Sequence, residues 1–398
     1  MKLQSLKVNG FKNLINCNLE LEDFNVLIGP NNVGKSNILE VFGFLDVLLN
    51  GSDIDKLRVF DGIMGSNNFI RTFCQTEKPR MISVEIEFYD NLEDNNYKFS
   101  YYIEIEVSEK LGDINHPGKI VKEYFRYKNV KKTGKLITVF ERTNNEIFKL
   151  PVSKLGNTEA VLSIINKVDD LKEDLEFVAQ RGLELVSIIS KTPTLYNSSD
   201  AIRESLYDQT EFVIRKGRIV ALSLQEQIYK ILNSEKKNYF KAILEDVLGI
   251  THIKCIPFPK EEQGPKITFI GFEKNLYRPF LLNQLSDGTL IILTLITYLI
   301  SNKYPIICIE ELENSIHPKL LRKIVSLIKN SFSHIQIILT THSPILLNMV
   351  QINEVSVMIP QQSCGTKIVR VKDKKDLIKR LTGTFSNFGD IFFEEIEE

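Results

Sequence analysis

The stretch Asn25-Val-Leu-Ile28-Gly29-Pro-Asn-Asn-Val-Gly34-Lys35-Ser36-Asn37-Ile-Leu-Glu-Val-Phe-Gly-Phe-Leu-Asp-Val-Leu-Leu49 decides the fold. Its opening residues read as a short buried strand, and its last thirteen carry apolar side chains at helical spacing. Between them, Gly29 to Ser36 matches the Gly-x4-Gly-Lys-Ser pattern in full. Strand, glycine-bounded loop and helix, in that order, are the context a phosphate-binding loop requires. Gly34 lets the backbone wrap close to phosphate oxygens, so that successive N–H groups and the helix N-terminus point at the anion. Lys35 then reaches the β- and γ-phosphates, and the Ser36 hydroxyl completes a Mg²⁺ shell.

Three motifs lie further along the chain. Asn283-Gln-Leu-Ser286-Asp287-Gly288-Thr289 directly precedes a helical run, which puts Ser286 and the Gly288 amide where a helix N-terminus binds an anion. Ile306-Ile-Cys-Ile-Glu310-Glu311-Leu-Glu313 sets two carboxylates at the end of a buried strand, the end where open α/β sheets place their ligands. There Glu310 can hold magnesium through water, and Glu311 can accept a proton from water attacking a γ-phosphate. Such chemistry rests on positioning and charge more than on covalent steps. Ile337-Ile-Leu-Thr340-Thr341-His342-Ser343-Pro344 ends another strand in a histidine. A lone Ser-Asp-Gly is an ordinary helix cap, and a lone histidine an ordinary structural residue, which is the reading His116, His252 and His334 receive. The four motifs together, in this order, carry more.

That order resembles the ABC-type ATPase superfamily, where Leu-Ser-x-Gly is the signature motif and the strand-ending histidine the switch. Glu310-Glu-Leu-Glu-Asn-Ser-Ile-His317-Pro318 resembles the Glu-Glu-Pro-Glu-x-x-Leu-His-Pro segment of the RecF, SMC and OLD-like branch. Asn9-Gly-Phe11-Lys12-Asn13-Leu14 and Gly29-Pro-Asn-Asn-Val-Gly-Lys-Ser-Asn37 resemble the same branch. The likeness covers residues 1–50 and 280–345 and extends as sheet to about 107. It implies an α/β fold: a P-loop NTPase head of ABC type, with a mixed sheet, an antiparallel β lobe and an inserted, mainly helical segment.

The same resemblance implies ATP and Mg²⁺ as ligands. Nucleotide contacts fall to Lys12, Asn31, Asn32, Val33, Gly34, Lys35, Ser36 and Asn37, and metal contacts to Ser36 and Glu310. Glu311 and His342 take the catalytic roles. Ser286, Asp287 and Gly288 act in trans, on the ATP of a second copy, and His317 falls where the family's D-loop meets that partner. Three departures stand out: Glu310 replaces Asp, Leu312 replaces Pro, and no Q-loop glutamine is evident beyond Gln75. Asn166-Lys-Val-Asp169 matches a guanine-reading tetrapeptide but sits within helical periodicity and lacks an Asp-x-x-Gly switch before it, so it is read as chance.

Four segments follow. Residues 1–110 form ATPase lobe I, 111–250 an inserted β-hairpin and helical segment, 251–350 lobe II, and 351–398 strands, a helix and an acidic tail. Strand periodicity is clearest at Ile82, Val84, Ile86 and Phe88, with turns expected at 90–96 and 112–118; residues 155–248 read as mostly helical.

Composition limits the partners. Of 398 residues 43% are apolar and 25% charged, which fits a globular protein. Lys plus Arg is 50 against 51 Asp plus Glu, for a net charge of −1. That excludes broad electrostatic capture of DNA and leaves a local groove, for which Lys119–Lys135 is the basic candidate. Five widely spaced cysteines (17, 74, 255, 308, 364) suit reduced thiols in the cytoplasm. The N-terminus lacks an apolar signal core. The most apolar run, Leu290–Ile300, is interrupted by Thr294 and Thr297 and is too short for a membrane span of about 20 residues.

The expectation is therefore a cytoplasmic, ATP-driven homodimer or higher homo-oligomer. The sequence ends too close behind His342 for a nuclease domain of roughly 100 residues, so a separately encoded, nuclease-like effector is expected, in anti-phage defence. A RecF-like repair ATPase that binds DNA directly is the alternative. A transporter subunit fits poorly with the long insertion and the wording of the carboxylate motif.

Overall fold

A computed structural model of the chain describes residues 1–52, 80–92, 95–107, 119–130, 135–144, 146–150, 159–165, 173–195, 213–215, 218–220, 224–258, 266–273, 280–361 and 365–373. The Gln75 and Asn166–Asp169 readings and the acidic tail lie outside these residues. The chain divides into two units: Met1–Ser190 with Gln351–Glu398, and Lys191–Val350.

The first unit begins with β1 (Lys2–Asn9), β2 (Cys17–Glu20), β3 (Phe24–Ile28) and α1 (Lys35–Asn50). It continues through β4 (Arg80–Leu92), β5 (Asn95–Val107), β6 (Lys119–Asn129), β7 (Ile137–Thr143) and β8 (Glu146–Phe148), then α2 (Val161–Ile164) and α3 (Glu173–Ser190). Seven strands form one sheet in the order β2-β1-β4-β5-β6-β7-β8, every neighbouring pair antiparallel. Period-two patterning gives this sheet two faces. Phe88, Phe99, Phe125 and Phe140, all buried, form a ladder across β4 to β7 with centroid spacings of 4.9, 5.9 and 6.4 Å. Helix α3 lies on this apolar face. A Cβ on its Gly182 would stand 2.6 Å from Leu162 Cδ1 and 3.4 Å from Phe125 Cε1, so glycine permits that close approach.

The opposite face is polar and internally paired. Lys7 Nζ lies 2.9 Å from Glu85, Lys98 Nζ 3.0 Å from Glu87, and the Arg126 guanidinium sits 3.8 Å over the Tyr124 ring while bonding Glu141. The basic segment expected at 119–135 thus begins as β6, with Arg126 already committed to neighbours on the sheet. One charge is placed inside. Glu123, fully buried, accepts hydrogen bonds from the Val161 and Leu162 N–H groups (2.7 and 3.0 Å) and from the Tyr101 hydroxyl (3.0 Å). It thereby satisfies the orphan amides at the start of α2. Burial raises its carboxyl pKa, and these hydrogen bonds oppose the rise.

The second unit holds β9 (Thr194–Leu195), β10 (Val213–Arg215), β11 (Arg218–Val220), α4 (Leu224–Leu232), α5 (Lys237–Leu248), β12 (Ile250–Phe258), β13 (Lys266–Glu273) and β14 (Phe280–Leu281). After these come α6 (Asp287–Ser301), β15 (Ile306–Glu310), α7 (Pro318–Ser331), β16 (Gln336–Thr341) and α8 (Pro344–Leu347). β15 pairs in parallel with both β16 and β9, and each residue of β15 and β16 is buried, as parallel strands covered on both faces require. α6 is apolar nearly all round and is buried from Leu290 to Ile300. Thr294 and Thr297 fit there because their hydroxyls donate to the carbonyls of Leu290 and Leu293, 2.8 and 2.7 Å away. α7 instead buries one stripe, Leu321, Ile324, Val325 and Ile328. Among the described residues no helix is long and apolar enough to cross a membrane.

The chain returns to the first unit as β17 (Val355–Pro360) and β18 (Thr366–Arg370), an antiparallel pair in which β17 also runs parallel to β3. The stretch read as helical over 155–248 therefore contains three short strands, β9 to β11, besides its helices.

Candidate functional site

In the first unit the glycine loop joins β3 to α1. Asn32 has φ 60° and Gly34 φ 102°, both left-handed, and Gly34 is the N-cap of the helix. Alternation of this kind builds a concave nest of backbone N–H groups. Lys35 is buried and folds back along the loop, donating from Nζ to the Gly29 and Pro30 carbonyls at 2.9 and 3.0 Å. Ser36 and Asn37 follow in the first turn of α1, where N–H groups lack intrahelical partners. Asn31 and Asn32 are exposed and Val33 is buried.

The segment between β1 and β2 supports this loop. Lys12, also in left-handed backbone, is buried and pairs with Glu40 of α1. Asn13 Nδ2 donates to the Asn32 carbonyl at 3.0 Å, and its Oδ1 accepts from Asn37 Nδ2 at 2.7 Å. On the other flank, Thr366 of β18 donates from Oγ1 to the Val33 carbonyl at 2.5 Å. Behind it, Cys17 Sγ donates to the Thr366 carbonyl at 3.0 Å. Burial pushes the Cys17 thiol up to about 12, so it stays a neutral donor. Asn13 lies within the Asn9–Leu14 motif but receives no site role from it, and Thr366 lies outside every motif. Thr366 lies 333 positions from Val33 and leaves no local signal.

In the second unit, β15 and β16 end side by side, with Glu310 level with Thr340. Glu310 is buried, and Glu311 turns the chain in left-handed backbone, φ 47° and ψ 54°. The Glu311 N–H donates to the Thr340 carbonyl at 2.9 Å. A non-glycine residue in this region is held there by its surroundings. The Glu311 carboxylate accepts from Asn314 Nδ2 at 2.6 Å and lies 3.1 Å from His342 Nε2. Glu313, part of the carboxylate motif but given no role there, anchors the histidine segment: Oε1 accepts from Thr341 Oγ1 at 2.5 Å and from the His342 N–H at 2.9 Å. Leu312 is buried where the resembling families carry proline. Glu310, Glu311, Glu313 and His342 thus cluster at one strand end.

Elsewhere in this unit, Ser286 is the exposed N-cap of α6, its Oγ accepting from the Thr289 N–H at 3.3 Å, with Asp287 at the first helical position and Gly288 buried behind it. His317 is exposed and caps α7 through Nδ1, which accepts from the Lys319 N–H at 3.3 Å, with Pro318 at N1.

Comparison with known proteins gives three results. A family model described as "AAA domain, putative AbiEii toxin, Type IV TA system" matches residues 24–348. The Retron Vc95 probable ATPase of Vibrio cholerae serotype O1 biovar El Tor is 23% identical over 376 residues, covering 84% of this chain and 68% of that protein. The solved SMC head bound to the C-terminal winged-helix domain of ScpA superposes with TM-score 0.54 at 14% identity, covering 94% of this chain and 99% of the other. The fold is that of an SMC-type P-loop head.

Proposed function

The chain belongs to the AAA-domain family whose model it matches over residues 24–348, and from that premise we propose how this ATPase of the ABC/SMC-like branch works. It binds and hydrolyses Mg-ATP, pairs head to tail with a second copy, and controls a separately encoded, nuclease-like effector in defence against phage. The observation that carries this reading is the carboxylate–imidazole pair at the end of β15, Glu311 3.1 Å from His342. Hydrolysis needs water activated at the γ-phosphorus, and an oriented carboxylate held by a second polar group suits that task.

Asn31, Asn32, Val33, Gly34, Lys35, Ser36 and Asn37 supply amides, an ammonium and polar side chains to the phosphates, while Lys12, ion-paired with Glu40 of α1, flanks the loop. Glu311 takes the proton of the attacking water as the bond from the γ-phosphorus to the bridging oxygen breaks, giving ADP and phosphate. His342 steadies Glu311 and bonds the γ-phosphate, and Glu313 holds His342 by its backbone. Among the described residues no three His, Cys, Asp or Glu side chains gather into a metal cage. The hard oxygens of Ser36 and Glu310 suit Mg²⁺, which takes few protein ligands beside phosphate and water. Bound magnesium supplies charge neutralisation on the phosphates.

The exposure of Ser286, Asp287 and His317 supports their contact with a second copy. A relative named as a retron's ATPase supports an ATPase that serves a larger system. The test is the molar mass of a Glu311→Gln variant, measured by light scattering with and without Mg-ATP. Retained ATP and a doubling from the 45.8 kDa monomer are expected. Bound ATP with unchanged mass contradicts the pairing; no bound ATP contradicts the nucleotide reading itself.

A further inference from the structure

We infer that Asn13 and Thr366 are positioning residues that set the anion-binding shape of the glycine loop, an inference resting on the reading that this loop binds nucleotide phosphates. A trans peptide is planar, so its C=O and the following N–H point in opposite directions. Fixing a carbonyl therefore aims the next amide. Asn13 Nδ2 holds the Asn32 carbonyl at 3.0 Å, which turns the Val33 N–H away from Asn13. Thr366 Oγ1 holds the Val33 carbonyl at 2.5 Å, which turns the Gly34 N–H away from Thr366. Left-handed φ at Asn32 and Gly34 lets two consecutive amides share one concave side.

Both braces are themselves held. Asn13 receives a bond from Asn37 Nδ2 in the first turn of α1, so loop and helix start are tied to one side chain. The carbonyl of Thr366 accepts from Cys17 of β2, and Gly365 next to it has φ 98°, with Ile15 Cβ only 2.9 Å from where a Cβ would stand. Gly34 leaves room for Asn13: a Cβ at residue 34 would meet Asn13 Oδ1 at 2.4 Å. The loop is thus shaped before any ligand arrives, and preorganised donors bind an anion without first reorganising.

The probe is a non-hydrolysable Mg-ATP analogue, titrated by calorimetry well below each variant's Tm. Thr366→Val keeps the shape and removes the donor. It should weaken binding about tenfold, the factor expected when a buried carbonyl loses its partner. Thr366→Ser keeps the hydroxyl and should bind within about threefold of wild type by the same reasoning. Asn13→Ala should also weaken binding about tenfold. Wild-type protein that fails to bind, or binds equally well as Lys35→Ala, refutes the nucleotide reading. Wild-type binding that depends on Lys35, but is matched by Thr366→Val and Asn13→Ala, refutes the positioning role. Equal losses in Thr366→Val and Thr366→Ser make residue 366 a packing residue only and refute its part. Should Thr366→Val not fold by circular dichroism, Asn13→Ala decides, since its side chain is half-exposed.

Discussion

Gly34→Ala separates two reasons for a glycine at this position. The first is backbone: at φ 102° an alanine is strained, at about 1–2 kcal/mol. The second is space. The new Cβ would stand 2.4 Å from Asn13 Oδ1 and 3.0 Å from Nδ2, and that amide can retreat only by breaking its bonds to Asn32 and Asn37. Two such hydrogen bonds are worth about 1–3 kcal/mol together. The sum is a destabilisation of about 2–5 kcal/mol by urea denaturation. Gly249→Ala is the reference for backbone alone, because φ is 70° and nothing lies within 4 Å of its Cβ; it should cost only the backbone part, about 1–2 kcal/mol. In an Asn13→Ala background the clash is gone, so Gly34→Ala should cost only its backbone part. The cycle therefore predicts a coupling of about 1–3 kcal/mol. Additivity within about 0.5 kcal/mol would refute the packing of Asn13 under the loop.

Two further outcomes follow from buried charge. Lys12 and Glu40 side chains are each 7% exposed, so Lys12→Met, which leaves the carboxylate without its ammonium, should cost about 3–5 kcal/mol. Lys12→Met with Glu40→Leu should recover most of that by thermal denaturation, and no recovery would speak against the pair. Glu123→Gln sets an amide donor against the Val161 or Leu162 N–H, at about 1–3 kcal/mol. Because burial raises the Glu123 pKa above 4.5, its wild-type contribution is full below that pH and is lost as pH rises through the folded value. The wild-type advantage over the variant should therefore be largest in acid and shrink toward neutrality. An advantage that grows with pH contradicts this.

Much of the framework is legible in the sequence because it is local. The strand–loop–helix of 25–49 needs only its own periodicity and glycines, and the alternation from Ile82 to Phe88 marks its sheet face. The apolar run after Leu-Ser-Asp-Gly and the apolar Ile306–Ile309 before the paired carboxylates likewise mark α6 and β15. β9 within 155–248 is not legible in this way, since it exists through its pairing of Thr194 with Cys308, a partner more than a hundred residues away. The candidate site divides in the same way. Motif residues announce themselves by type and spacing. The roles of Asn13, Glu313 and Thr366 come from contacts between distant segments, which no window of sequence displays, even though Asn13 and Glu313 stand inside motifs.

Steady-state hydrolysis of Mg-ATP, comparing wild type with Glu311→Gln at equal nucleotide occupancy, tests the central claim most directly. Wild-type protein is expected to release phosphate, and the variant to bind ATP with similar affinity while turning over at least about 100-fold more slowly, the lower range for loss of a general base. Wild-type protein that binds ATP without releasing phosphate, or a variant as fast as wild type, would contradict Glu311 as the catalytic carboxylate.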